Sequence, residues 1–285
     1  MSTCDVRASG ARARRTRAVA FLGLSALLAL PSAAWGAENP YDGNWHFTLT
    51  PYLWLPSVDG SLSFDTPSGE TLSTDLDISA GDILENLDFA LMATGDARKG
   101  NWFVFTDFIY LNLSDDNAAV RTVTGPGGLV EIPINTATQT KLHGFVWTLA
   151  VGYALAQGPS ASLDVFVGFR DLQQTADLDW QFAGPLQLFP QSGSLSQTAV
   201  IWDALIGAKG RIRLSEDGRW HLPYYFDIGT GASSFTWQAL AGVAYAFRWG
   251  DLSLTYRYLH YDTDGGRLID DINLSGPTLG ATFRF

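Results

Sequence analysis

Ile272–Phe285 reads INLSGPTLGATFRF. Counting back from Phe285, the residues Phe285, Phe283, Ala281, Leu279 and Pro277 share one parity, and Arg284, Thr282, Gly280, Thr278 and Gly276 the other. A period of two is that of a β-strand, whose successive side chains point to opposite faces. One face of this strand is apolar and the other small or polar, so its two sides meet different surroundings.

The pattern recurs upstream. Asn44–Leu55 sets Trp45, Phe47, Leu49 and Leu53 on one face; Pro51 shares that face, removes a ladder donor, and predicts a bend or bulge. Leu87–Arg98 alternates Leu87, Phe89, Leu91 and Ala93 with Asp88, Met92, Thr94, Asp96 and Arg98. After the turn Lys99-Gly-Asn101, Trp102, Val104, Phe108 and Tyr110 oppose Asp107. Leu142–Leu155 shows Phe145, Trp147, Leu149, Val151 and Tyr153, and the next segment shows Leu163, Val165, Val167 and Phe169 against Asp164 and Arg170. Gln197–Leu214 sets Val200, Trp202, Ile206 and Ile212 against Asp203, Lys209, Arg211 and Arg213. From Trp220 to Ile228 large apolar residues oppose His221, Tyr225 and Asp227. Ser234–Phe247 carries Val243 against Ala244, and Leu252–Tyr258 carries Leu254 and Tyr256 against Arg257. With the closing strand this makes about ten. The polar stretch Pro56–Asn86 predicts a short hairpin, Ser61–Phe64 with Thr71–Leu76, and a helical turn or two over Ala80–Glu85.

Residues 1–37 read as a secretory signal peptide. A basic region with five arginines precedes the apolar run Ala18–Leu30, and small residues follow it. That run is too short to span a membrane as a helix. The pair Arg14-Arg15 raises a twin-arginine reading, but the rest of that motif is poor. The only cysteine, Cys4, lies in this leader, so neither a disulfide nor a lipid-bearing cysteine is expected in residues 38–285. Without the leader, thirteen basic and twenty-eight acidic residues give a net charge of −15, which argues against nucleic acid as a partner. No linker divides 38–285, which reads as one domain.

A soluble sandwich or lipocalin-like barrel would turn its apolar face inward. Three features favour an apolar outside. The face opposite the large residues is rich in Gly, Ala, Ser and Thr, which suits a crowded lumen and not open solvent. Connections alternate short and long, with Gly229–Ser233 as the exception. Aromatics (Trp102, Tyr153, Trp220, Phe247, Trp249 and Phe285) gather beside the short turns, where an interfacial girdle belongs. The fold class expected is therefore all-β: an antiparallel up-and-down transmembrane β-barrel of about ten strands, within a range of eight to twelve.

The runs NWHFTLTPYLWLPSVDGSLSF (44–64) and LENLDFALMATGDARKGNWFVFTDFIYL (84–111) resemble a family of small, mostly uncharacterised proteobacterial outer-membrane barrels. The resemblance is most specific over Asn44–Leu113. It implies location and fold, and carries no catalytic site with it. A closing strand ending at Phe285 is similar to the terminal strand through which such barrels engage the assembly machinery. Outer-membrane lipid and lipopolysaccharide are the other expected partners.

By parity the lumen would hold Asp88, Asp96, Arg98, Asp107, Asp164, Arg170, Asp203, Lys209, Arg211, Arg213, Asp227 and Arg257, together with His221 and Arg284. Mixed signs predict ion-pair networks, which in narrow barrels plug more often than they conduct. Arg211 and Arg213 are expected to pair with Asp164 and Asp227. The functions expected are a structural barrel or a narrow passive pore for small polar solutes. The alternative is a rim enzyme acting on lipid or peptide, with His143 and His260 near the external strand ends. No Gly-x-Ser-x-Gly elbow occurs, and the sequence calls for no enzymatic activity, cofactor or metal. The acidic run at Asp262 lacks the later Glu of a calcium loop.

Overall fold

Alternating segments become strands, and the strands run longer than the apolar residues alone suggest. The computed structural model describes residues 40–65, 71–115, 123–124, 131–132, 136–182, 192–263 and 269–285, and the expected leader lies outside them. The elements are β1 (Trp45–Trp54), β2 (Ser57–Asp65), β3 (Thr71–Ile78), α1 (Ala80–Glu85), β4 (Leu87–Lys99), β5 (Trp102–Asp115), β6 (Val123–Thr124) and β7 (Glu131–Ile132). They continue with β8 (Thr136–Gln157), β9 (Ala161–Phe182), β10 (Ser192–Arg213), β11 (Trp220–Gly231), β12 (Phe235–Ala246), β13 (Gly250–Asp262) and β14 (Ile269–Arg284). Much of the two expected long excursions, 114–140 and 176–196, is thus strand.

Among the described residues ten antiparallel strands form the wall, in the order β1, β4, β5, β8 to β14, and pairing of β1 with β14 closes it. No sheet edge remains around that ring, which is how a sheet crosses lipid with its backbone groups satisfied. The hairpin β2–β3 extends the wall, because β14 pairs with β1 through its second half and with β2 through its first. The register is common to both: Arg284 faces Thr48 and Ile272 faces Gly60. Residues 45–65 therefore behave as one long strand interrupted at Leu55-Pro56. The expected bulge at Pro51 is absent. Instead the β1–β4 ladder ends there, at Pro51 opposite Ala93, while the β14 ladder continues past it.

Following the ladders in register around the wall gives the barrel's stagger. The path Thr48, Asp96, Phe105, Ala150, Gly168, Leu205, Gly229, Thr236, Tyr261, Ile272 returns to Gly60, twelve residues beyond its start. With a rise of ~3.3 Å per residue and strands ~4.8 Å apart, this tilts the strands about 40° and sets a backbone radius of about 10 Å. Such a bore is filled by side chains.

The helical turn forms as expected. Ser79 caps it by accepting a hydrogen bond from the Asp82 amide at 3.2 Å, and the Asp82 carboxylate accepts one from the Ser79 amide at 3.1 Å. At the opposite end, the turns after β4 and β10 place Gly100 and Gly218 at φ 58° and 70°, where other residues are strained. The outer surface is apolar: Ile206, Leu254, Leu279 and Val167 are each more than half exposed. It carries two aromatic belts. Trp102–Tyr153, Trp220–Tyr245, Phe247–Trp249 and Trp249–Phe283 contacts line the short-turn end. Trp147–Phe169, Phe169–Trp202 and Trp237–Tyr258 contacts line the other. About ten residues of tilted strand separate the belts, roughly 25 Å, the height of an outer-membrane apolar band.

Candidate functional site

The lumen is the candidate site, and single strands show its layering. From the short-turn end upward, the inward face of β5 reads Phe103, Phe105, Asp107, Ile109, and that of β9 reads Asp164, Phe166, Gly168, Arg170, Leu172; all but Gly168 are buried. Lowest lie the ion pairs Arg98–Asp164 and Lys209–Asp96. Their cations rest on rings: the Arg98 guanidinium is 4.8 Å from the Phe103 centroid and the Lys209 ammonium 4.4 Å from that of Phe105.

Above them Phe103, Phe105, Ala150 and Phe166 pack with Tyr225. Two inward glycines make room for these rings. A Cβ on Gly152 would collide with the Phe103 ring, and one on Gly207 with that of Phe166.

The middle layer is polar. Arg170 pairs with Asp227, and neither is exposed. Asp227 also accepts a hydrogen bond from the Tyr225 hydroxyl, and Arg170 donates to the Thr148 hydroxyl at 3.3 Å. Beside this pair, Asp107 binds Arg257 and accepts from the hydroxyls of Tyr52 at 2.7 Å and Thr94 at 2.9 Å. Charges removed from water persist only when paired and hydrogen-bonded in this way. Over that layer Trp54, Met92, Ile109, Leu172, Ile201, Leu259, Tyr261 and Ile272 form a second apolar cluster.

Most expected lumen residues lie in these layers or are tied to them. Asp96, Arg98, Asp107, Asp164, Arg170, Lys209, Asp227 and Arg257 make the four ion pairs just described. Asp203 is buried but belongs to no ion pair among the described residues. Its carboxylate accepts from the Ser233 amide at 2.8 Å and hydroxyl at 2.7 Å, and so holds the short return between β11 and β12. His221 and Arg284 share Asp251 at the short-turn mouth.

Three expectations are corrected. Asp88 is exposed, because the β4–β5 register shifts between Leu87 and Phe89 and breaks the parity there. Arg211 and Arg213 are also exposed, on the last residues of β10 where the lumen opens to solvent. They do not pair with Asp164 and Asp227, whose carboxylates are held by Arg98 and Arg170.

Counting charges misses the hydroxyl of Tyr52 and the indole of Trp54, over which Arg257 lies at 5.2 Å. It also misses Asp171, a buried carboxylate. Of the two rim histidines, His260 has its Nδ1 2.8 Å from Asn273 Oδ1 and 3.4 Å from Asp271, while His143 faces Asn112 and Thr175 in the ladders.

An apolar outside, two aromatic belts and an interior filled by buried ion pairs between apolar clusters define the class: an outer-membrane-type β-barrel. No protein-family model matches the chain, and no curated protein does. Among solved structures the chain is similar to the outer membrane protease OmpT from Escherichia coli, at 8% identity and TM-score 0.45 over 87% of this chain and 99% of that one. It is also similar to the attachment invasion locus protein Ail of Yersinia pestis, at 11% identity and TM-score 0.30 over 85% and 98% of the two chains. For the toluene transporter TodX of Pseudomonas putida the identity is 12% and the TM-score 0.28 over 87% and 91%.

Proposed function

We propose that this protein resides in the bacterial outer membrane as a closed, non-catalytic structural barrel, its short turns toward the periplasm and its long strands and loops outside. One observation carries the closed reading: the Arg170–Asp227 pair, entirely buried, lies inside the lumen between two apolar clusters, beside the Arg257–Asp107 pair that joins opposite walls. A conducting pore keeps its lining charges wet. The expected partners are outer-membrane lipid and lipopolysaccharide around the wall, and the assembly machinery at β14.

Planar-bilayer recording of the refolded protein tests closure. Current at the level of bare membrane is expected, and discrete, reproducible single-channel steps would overturn the reading in favour of a narrow pore. Membrane fractionation tests location separately. The protein should partition with outer membranes and show heat-modifiable migration on gels, and recovery as a soluble periplasmic protein would refute it.

A further inference from the structure

The outer surface of β9 contains a carboxylate where the wall is otherwise apolar. Val165, Val167 and Phe169 alternate outward along the strand, and the next outward position is Asp171. Its ladder neighbours are Trp147 on β8 and Trp202 on β10, so the carboxylate stands between two indoles on the same face. Phe169, one outward step below, contacts both rings, with centroids 5.3 Å from Trp147 and 5.1 Å from Trp202. Asp171 is only 2% exposed. One of its oxygens accepts from the Gln173 side-chain amide at 2.9 Å, and the other has no hydrogen-bond partner among the described residues. No ion pair to Asp171 occurs among them either.

A carboxylate oxygen without a partner, flanked by aromatic rings, is the chemistry that recognises an organic ammonium group. The carboxylate supplies the charge, and the rings supply cation–π attraction and apolar contact for the carbon substituents. A bare metal ion would want several oxygens, which the two indoles and the phenyl ring do not offer. The two indole walls differ in freedom. Trp147 is fixed by its indole N–H, which donates to Thr106 at 2.9 Å, whereas Trp202 is 46% exposed and its side chain makes no hydrogen bond among the described residues. The site lies in the aromatic belt farther from the short turns, at the level of lipid headgroups in a membrane-embedded barrel.

We propose that Asp171, Trp147 and Trp202 form a binding site for a primary or quaternary ammonium group presented at the membrane interface, with Trp202 as its movable wall. The group could belong to an amine-bearing lipid headgroup or to a free soluble amine. The proposal rests on the membrane-barrel reading but not on whether the lumen conducts.

Two arms test it on folded protein, each variant first checked for heat-modifiable migration. In detergent micelles, choline is titrated while tryptophan fluorescence is followed. By native mass spectrometry, retention of phosphatidylethanolamine is compared with that of phosphatidylglycerol. A saturable fluorescence change with choline, weakened about tenfold or more in Asp171→Asn and in Trp202→Leu, supports the site and a free amine as its ligand. Preferential retention of phosphatidylethanolamine, lost in both variants, supports the site with a lipid headgroup as its source. Equal behaviour of wild type and Asp171→Asn in both arms would overturn the proposal. So would an infrared protonated-carboxyl band that Asp171→Asn abolishes and saturating choline leaves unchanged, because Asp171 would then be a neutral acid and no counter-ion.

Discussion

Arg170 is entirely buried in the lumen, and its guanidinium meets the Asp227 carboxylate where neither touches water. Replacing it with alanine strands a buried anion, and breaking such a pair by removing one partner costs about 3–5 kcal/mol. Removing both charges with apolar residues of similar size should cost far less, because the desolvation of two ions is removed with their attraction. Arg170→Ala should therefore lower the unfolding midpoint in urea sharply, and Arg170→Met with Asp227→Leu should restore most of it. Equal loss in both variants would show that the layer matters through shape and not through charge. Outside the wall, Asp42 offers a contrasting case. Hydrogen bonds from His46 and then from the Asn44 amide and side chain hold its carboxyl at about 2, below the ordinary 3.8. A depressed carboxyl contributes stability above its unfolded value, and that contribution fades as pH falls through the folded one. Carbon-detected NMR titration should find Asp42 ionising near pH 2, and His46→Ala should move it upward.

At the scale of strands, the alternation of Ser234–Phe247 makes a two-sided test. Val243 is 42% exposed on the outer wall and Ala244 is 2% exposed on the inner. Val243→Arg puts a charge against lipid, at a cost of roughly 2–4 kcal/mol at mid-depth, and should cut the heat-modifiable fraction. Ala244→Ser adds only a hydroxyl inside and should assemble normally; equal yields from the two would reverse the inside–outside assignment. The wall strands, the β2–β3 hairpin and α1 are legible in the sequence because each has a local signature: period two, turn residues between short polar strands, a capping serine. The ion pairs are not. Alternation assigns a side chain to a face but says nothing of its height, and a stagger of twelve residues around ten strands displaces every level. Lys209 stands directly opposite Asp164 in the ladder, yet it reaches across to Asp96 while Arg98 takes Asp164. Asp88 escapes the pattern because one register shift inverts the faces beyond it. Nor is the continuity of residues 45–65 evident, because Pro56 reads as a stop while β14 holds one register across it.

Across the whole molecule the lumen is obstructed in series. The lower aromatic layer of Phe103, Phe105 and Phe166, the paired charges of Arg170 and Arg257, and the upper cluster around Trp54, Leu259 and Tyr261 lie one above another. In a serial path the narrowest surviving layer sets the current, so opening one seal alone gains almost nothing. Phe103→Ala with Phe166→Ala should therefore lower stability, because cavities left by buried aromatics cost about 3–5 kcal/mol each. The same pair should leave bilayer current at baseline. Adding Trp54→Ala and Leu259→Ala breaches the second apolar cluster as well, so that the charged side chains between the two can hydrate. Single-channel steps should appear in that quadruple variant, provided it still shows heat-modifiable migration. Their reversal potential should shift toward cation preference when Arg257→Gln is added, because the Asp107 carboxylate then faces the path without its guanidinium. Steps already present in the double variant would mean that the upper cluster is no barrier and that the lower aromatic layer closes the barrel alone.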